Sequence, residues 1–572
     1  MKSRQSTVDR LLYNTLMELL SPAGGFESLK AAVENGADAV YIGAQNFSAR
    51  NLAENFENIA QAVSYAHASD VKLYLALNTL VRDREIPSWL ATAKEAARAG
   101  VDAFIVQDLG GASLLKQFYP DVPLHASTQM TAYSTEGVRA LTELGFSRVI
   151  LARELSFDEI CNIRRQTGTQ LEIFVHGALC VCYSGQCLMS SIFGGRSANR
   201  GLCAQPCRLD YRLEKKSGRL LSPKDLCLVD YIGEIEKAGI ASIKIEGRMK
   251  PAQYVGTVTR VYRKALDTRI VTQKDKDDLL KAFSRRGFTT QPFSAKMPPA
   301  PIVQEQAIQP ASPSCTAAAC AVVPHSRLLA AQVTGKKQAL AVLKDVDIVY
   351  VPVSASWAAE VAMEAHNLKK QCIGVHPLID HRPSSPAQAS FDGEMLATLL
   401  DSTVQRKIAD LSFNVMNSDT LRTLRGLGYE RATLSAELNL AQIRDLCKNK
   451  ILPTEAIVYG RLPLMTTIHC PFQCDKKRCR VDDTAFLTDR MGKSFPIVRA
   501  GSACCISILN SLPLFMADKL DQVSADVLRL KFTTESPAQC ASIAQQYRRA
   551  MQGHPAKPMG DFTRGHFLRG VK

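Results

Sequence analysis

A chain of 572 residues is too long for one hydrophobic core, and at roughly 100–200 residues per domain it divides into two large domains or several small ones. Hydrophobic residues make up 46% of it, enough to build such cores, yet the longest apolar runs are strand-length and broken by charge, which excludes a membrane span. The net charge of +15 sets up a field that draws polyanions, with nucleic acid the favoured partner and an unpartnered basic surface the plain alternative.

The first 16 residues read as an N-terminal extension with early basic residues. They lack the continuous apolar core and small-residue cleavage site of a secretory signal, so a cytoplasmic location is expected. In a reducing compartment 17 cysteines point to metal ligation or redox chemistry rather than a disulfide scaffold.

From Met17 eight short apolar runs follow one another: MELLSPAG, ADAVYIGA, KLYLALNTL, VDAFIVQD, VPLHASTQ, SRVILARE, LEIFVHGA and ASIKIEGR. Amphipathic segments such as ESLKAAVENG and TEGVRALTELG lie between most of them, with helix-start and helix-stop residues at their ends. Eight β-α units over residues 17–290 predict an α/β, TIM-like (β/α)8 barrel. No glycine-rich nucleotide fingerprint follows the first run, which argues against an open doubly wound sheet. In such a barrel functional side chains stand where strands end. That rule selects a polar ring of Ser21, Gly24, Gly43, Asn46, Arg50, Asn78, Gln107, Asp108, His125, Gln129, Arg153, Glu154, His176, Lys244, Glu246 and Arg248.

The seventh βα loop, residues 177–240, is far longer than the usual few residues and forms a Cys-rich insertion. Cys180, Cys187, Cys203 and Cys227 offer four thiolates, with Cys182 and Cys207 two further candidates. Four thiolates imply zinc or an iron–sulfur cluster, and unligated thiols are the third possibility. Widely spaced single ligands favour a cluster over a zinc knuckle. Between them GGRSANRG carries Arg196 and Arg200, suited to phosphate or carboxylate recognition, or else simply solvated in a flexible loop.

Residues 291–325, rich in Pro, Ala and Ser, read as a linker in which Cys315 and Cys320 are incidental. Over 326–550 the alternation resumes with RLLAAQV, DIVYVPV, QCIGVHPL, KIADLSFNV, RATLSAEL, EAIVYGRLPLM, SFPIVRA and DVLRLKF. HASTQMTAYSTEGVRALTELGFSRVILARELSFDEI parallels DLSFNVMNSDTLRTLRGLGYERATLSAELNLAQI, FVHGALC parallels VYGRLPLM, and KIEGR parallels LKFTT. This predicts an internal duplication: a C-terminal, degenerate α/β barrel-like domain that has lost most of its polar strand ends and serves structure or binding. Cys470, Cys474, Cys479 and Cys504 with Cys505, beside His469, make a possible zinc or second cluster site, with buried free cysteines the alternative. The basic tail 551–572 reads equally as disordered or as a strap returning to the barrel or to RNA.

Hydrolytic signatures fare badly. The chain has no HExxH and no GxSxG, and its clustered cysteines do not present a lone thiol paired with a distant histidine. His176 near Cys180 is placed to activate a thiol, but a metal-bound thiolate is not free to attack.

EIFVHGALCVCYSGQCLMS fits Glu-x-Phe-x2-Gly-Ala-Leu-Cys-x4-Gly-x-Cys-x-Met-Ser without departure, and with MELLSPAG, NGADAVYIG, SANRGLCAQPCR, SPKDLC and IKIEGRMK it resembles the collagenase-like peptidase family of unassigned mechanism over about residues 17–290. YGRLPLMTT and the terminal TRGHFLRGV resemble its longer members. The resemblance implies an oxygen-independent, prephenate-dependent RNA hydroxylase that modifies a pyrimidine of tRNA or 23S rRNA. It implies a [4Fe-4S] cluster on Cys180, Cys187, Cys203 and Cys227, prephenate as co-substrate, and a partner subunit or electron donor. The strand-end residues then take expected roles: Arg153, Arg196, Arg200 and Arg248, with Asn78 and Gln129, hold prephenate carboxylates or RNA, and Glu154, His176, Lys244 and Glu246 handle protons. The competing readings are a peptidase acting on unstructured polypeptide, as the family's name suggests, and a non-enzymatic RNA-binding module.

Overall fold

The computed structural model describes residues 17–284, 286–294, 327–379, 389–399, 406–472, 481, 485–501 and 504–572. The extension at 1–16 and most of the predicted linker, with Cys315 and Cys320, lie outside the described residues, as do Cys474 and Cys479.

The eight predicted runs form β1 (Glu18–Pro22), β2 (Ala39–Gly43), β3 (Lys72–Leu77), β4 (Ala103–Val106), β5 (Leu124–Ala126), β6 (Phe146–Ile150), β7 (Gln170–Gly177) and, after the insertion, β11 (Ser242–Ile245). They pair in parallel in that order. β11 closes on β1, so the sheet is a barrel. β1 and β2 are buried at every position, as in parallel sheets covered by helices on the outside and packed within. Helix starts are fixed locally: Ser134 accepts from Gly137 N to begin Thr135–Glu143, and Ser156 with Glu159 forms a capping box for Phe157–Gln166.

The insertion between β7 and β11 contributes β8 (Tyr211–Leu213), β9 (Lys216–Gly218) and β10 (Asp225–Cys227), the last antiparallel to β7. β12 (Phe288–Thr289) pairs with β10.

The duplication is present at the level of register. A second closed barrel runs through β13 (Leu328–Gln332), β14 (Ile348–Pro352), β15 (Gln371–Val375), β16 (Gly393–Leu396), β17 (Lys407–Ala409), β18 (Tyr429–Thr433), β19 (Thr454–Gly460) and, later, β25 (Val527–Lys531). Its seventh strand is again followed by a long insertion: β20 (Pro463–Thr467), β21 (Ala485–Asp489), β22 (Ser494–Arg499), β23 (Ile506–Leu509) and β24 (Leu514–Phe515). β24 runs antiparallel on β19 as β10 does on β7.

Two expectations need correction. SFPIVRA is β22 of the insertion rather than a barrel strand, and the fourth strand is the run GEML, too short and too polar to stand out in sequence. The two insertions pair with each other. β20, β23, β22, β21, β8 and β9 form one antiparallel sheet, with Thr488 opposite Arg212, and a core of its own that includes Leu464, Leu487, Phe495 and Ile497 beside Val181, Cys182 and Met189.

The barrels pack directly. Helix Leu109–Phe118 meets helix Ser418–Gly426 so closely that a Cβ on Gly110 falls 2.3 Å from Thr420 N. Buried Asp108 accepts from Gly111 N at 2.9 Å, Asn417 Nδ2 at 2.9 Å and Thr420 Oγ1 at 3.1 Å, tying the caps of both helices together. The tail is a strap. Phe515 N donates to Thr563 O, Leu440 N to Phe567 O, Arg82 to Val571 O and Lys572 N to Gly195 O, which returns the C-terminus to the Cys-rich insertion. No helix of the described residues is long and apolar enough to cross a membrane.

Candidate active site

The C-terminal mouth of the first barrel holds a cavity of about 340 Å³ beneath the Cys-rich insertion. Its base is built from strand ends. Lys244, Glu246 and Arg248 follow one another at the end of β11, and Asn78, Gln129, Arg50, Arg153 and Tyr41 stand around them.

Glu246 organises the charge. Its carboxylate receives Arg50 Nη2 at 3.1 Å and Arg153 Nη2 at 3.0 Å. Burial pushes its pKa up, but Arg50, Arg153 and Arg248 outweigh that and hold it at about 2. Arg248 is buried, donates to Ser48 Oγ and is pulled down to about 10 by desolvation. Lys244 is lowered by burial against the pull of Glu172, to which it donates at 2.9 Å. Deeper in the barrel Arg148 joins Glu18 and Glu172, so that layer is balanced. At the mouth three arginines face one carboxylate, leaving an excess of positive charge around the cavity. Asn78 Nδ2 donates to Gln129 Oε1 at 3.1 Å and Gln129 Nε2 to Gln107 Oε1 at 3.0 Å, an amide chain along one wall.

Four thiols line the same cavity: Cys180, Cys187, Cys203 and Cys207. Burial raises Cys180 to about 12, with Cys187 and Cys203 adding to the shift, and Cys207 is raised by burial and by Cys180, Cys187 and Cys203. Cys187 is held low by a hydrogen bond from Cys182 against its own burial, helped by the N–H groups of Met189 and Ser190. Cys182 itself is fully buried in the core of the antiparallel sheet.

The fourth expected ligand, Cys227, stands apart from these thiols. Cys227 lies on β10 opposite His176, its thiol 3.9 Å from Tyr262 Oη, and it does not line the cavity. Cys207, on the short turn Pro206–Arg208, is the fourth thiol that lines it. Its signal in the sequence is the C-x3-C spacing with Cys203, one turn of chain that brings two thiols to one place at little entropic cost, whereas DLCLV reads as a strand. Among the described residues no three Cys, His, Asp or Glu side chains converge tightly enough for a single ion. Four thiols spread around one cavity are a donor set that suits a polynuclear cluster, whose ligands stand further apart.

Other predicted residues also lie elsewhere. His176 is buried against Tyr254, Tyr262 and Phe288, and burial pulls it to about 3, so it stays neutral and away from the cavity. Arg200 clamps the insertion to the barrel, donating to Glu85 at 2.6 Å and to Leu80 O at 2.9 Å. Arg196 donates to Leu202 O at 3.0 Å within the loop. Both arginines shape the segment that carries Cys203 rather than facing the cavity.

Glu154 lines an adjoining outer cavity of about 840 Å³, which shares Arg153 and Cys180 with the first and is bordered by Lys216, Arg219, Lys224 and Arg286. Burial pushes its carboxyl to about 8 and leaves Oε2 without a partner. Of the second cysteine set, Cys470 packs against the antiparallel sheet, Cys504 is exposed and Cys505 is buried in the first barrel's core; Cys474 and Cys479 lie outside the described residues. In sequence Arg50 is marked only by its place after a strand, and Tyr41, whose hydroxyl donates to Ile245 O at 2.9 Å, carries no signal because it lies inside one.

The chain is 43% identical over 278 residues to the 23S rRNA 5-hydroxycytidine C2501 synthase of Escherichia coli (strain K12), covering 47% of this chain and 42% of that protein. It is 39% identical over 265 residues to tRNA hydroxylation protein P1 of Bacillus subtilis (strain 168), covering 44% and 63%, and 40% identical over 271 residues to a protein of Methanocaldococcus jannaschii named as an uncharacterized protease, covering 44% and 66%. The chain thus spans less than two thirds of the length of each of these relatives. The Peptidase family U32 profile matches residues 24–300, the first barrel with its insertion, and again 405–473, from the fifth strand of the second barrel into its insertion. On that match the chain belongs to peptidase family U32.

Proposed function

We propose that the first barrel hydroxylates a pyrimidine base of RNA, with a [4Fe-4S] cluster on Cys180, Cys187, Cys203 and Cys207 and prephenate as the source of oxygen. The observation that carries this reading is the meeting of four thiols and a surplus of arginine in one cavity, in a chain whose relatives are named for hydroxylation of 23S rRNA and tRNA. When bound, the cluster supplies an electron relay or a Lewis acid.

The chain's own residues bind and orient. Arg50, Arg153 and Arg248 suit the two carboxylates of prephenate; Glu246 fixes the guanidinium planes of Arg50 and Arg153, and Ser48 holds Arg248. Asn78 and Gln129 offer amide groups to a base or to the co-substrate. Glu154 keeps its proton near neutral pH beside Arg153 and Cys180, where it serves as a proton donor. The basic rim of the outer cavity and the net charge of +15 favour approach of the RNA backbone from that side.

The test is a deletion strain complemented with wild type, Cys207→Ser or Cys227→Ser, with RNA nucleosides read by mass spectrometry and anaerobically purified protein read by iron content and visible absorption. Wild type and Cys227→Ser are expected to restore a pyrimidine heavier by one oxygen atom and to be brown. Cys207→Ser is expected to lose the modified base and most of its iron. A colourless, iron-free wild type, or an unmodified RNA together with cleavage of a denatured polypeptide, sinks the hydroxylase and restores the peptidase reading.

A further inference from the structure

The second barrel also opens into a cavity, about 420 Å³, at its C-terminal mouth. Strand ends supply its base: Gln332 from β13, His376 after β15, Asp410 after β17 and Lys531 from β25. The antiparallel sheet roofs it. One wall belongs to the first barrel's insertion, where Gln186 and Leu188 face this cavity while their neighbours Gly185 and Cys187 face the thiols. Gln186 Nε2 donates to Ser412 O at 3.2 Å and Asn414 Nδ2 to Gly185 O at 2.9 Å, so the wall is fixed and the cavity is complete only with both barrels in place.

Its charge differs from that of the first mouth in an informative way. Strand register matches Arg148, Glu172 and Lys244 to Arg431, Glu455 and Arg529. In the second barrel Arg529 pairs with Glu455 at 2.9 Å and Asp410 at 2.7 Å, and Arg431 with Glu455 at 3.2 Å, so the deep layer is again balanced. Above it, Lys531 stands where the first barrel has Glu246. Glu246 follows the last residue of its eighth strand and Lys531 ends the other, four residues on from matched positions, and both place their carbonyl against a positive-φ glycine at the end of the seventh, Gly177 and Gly460.

Glu246 is enclosed by arginines. Lys531 Nζ donates to Gln332 Oε1 at 2.9 Å, and among the described residues no carboxylate stands within ion-pairing distance of it. Asp410 is committed to Arg529 and His376 to Glu394, 2.6 Å away. Thr533 adds a buried hydroxyl without a partner at the same mouth. Lys531 is thus a half-buried ammonium in a walled cavity whose direct partner is a neutral amide oxygen, a position that an anion completes.

We propose that the mouth of the second barrel is a binding site for a small organic anion, a carboxylate or a phosphate ester, anchored on Lys531 and Thr533. The site is independent of the hydroxylase reading, and its test does not involve RNA or iron. Burial pulls Lys531 down to about 8 against the opposing influence of Asp410, which leaves a reactive fraction of free amine near neutral pH.

The full-length protein is treated with limiting pyridoxal 5′-phosphate, whose aldehyde condenses with a free amine with loss of water. Borohydride then reduces the imine to a secondary amine, and peptide mapping locates the label. Lys531 is expected to be labelled roughly tenfold or more faster than surface lysines. Protection by malonate identifies a carboxylate site and protection by inorganic phosphate a phosphate site. Labelling of Lys531 no faster than that of surface lysines, or labelling that neither anion slows, overturns the proposal.

Discussion

Two neighbouring acids are raised alike by burial, and the number of arginines around each sends their protonation in opposite directions. Glu246 and Glu154 both stand close to Arg153, yet the first is encircled by three arginines and sits at about 2, while the second has one opposing charge and rises to about 8. The sign of the stability effect follows. Between the ordinary value of 4.5 and about 8 the folded state holds a proton on Glu154 that the unfolded chain has released. Stability therefore falls as pH rises through that window, by at most about 1.4 kcal/mol per pH unit. Glu154→Gln is expected to flatten the slope of unfolding free energy between those limits, as measured by urea denaturation at several pH values; an unchanged slope refutes the assignment.

Among the elements, the seventh strands show what a duplicated backbone demands. Gly177 and Gly460 end β7 and β19 at φ 103° and 113°, and a Cβ on either meets a carbonyl at the C-terminal end of strand eight, at 2.6 Å from Glu246 O and 2.0 Å from Lys531 O. Side chains rarely adopt that backbone, and here there is no room for one. Gly460→Ala is expected to cost roughly 1–3 kcal/mol in chemical denaturation, as residues forced into such conformations do. Its seat in the second barrel leaves the thiols of the first in place, so iron content is expected to stay near wild type. The insertions obey a second rule. Hairpin β8–β9 is too short to be stable alone and gains its partners from β21 to β23, so neither insertion completes its sheet without the other.

For the whole molecule, Asp108 is the joint. It accepts from Val81 N at 3.3 Å and Gly111 N at 2.9 Å in its own barrel, and from Asn417 and Thr420 in the other. Replacement by Ala leaves buried donors on both barrels unsatisfied, at about 1–3 kcal/mol for each fully desolvated group. Asp108→Ala is expected to lower the unfolding midpoint of the whole chain and to loosen the cavity wall formed by Gln186 and Leu188. Limited proteolysis that cuts between the barrels faster than in wild type checks it, and an unchanged rate removes Asp108 as the joint.

The sequence by itself determined the eight-strand first barrel, the long insertion after its seventh strand and the existence of a duplicate, because apolar runs with helical spacers and repeated segments such as FVHGALC and VYGRLPLM are local patterns. It also placed Arg153, Lys244, Glu246, Arg248, Asn78 and Gln129 at one mouth, since a strand end in a barrel has only one place to be. Tertiary structure decided the rest. Cys207 and Cys227 are equivalent as cysteines in a list, and only the path of the insertion sends one to the cavity and the other to Tyr262. Arg196 and Arg200 look like ligand-binding residues until Leu202 O and Glu85 are found to hold them. The charge left on Lys531 becomes visible only when the balanced layer beneath it is in view, because burial and pairing belong to the folded chain and not to any residue type.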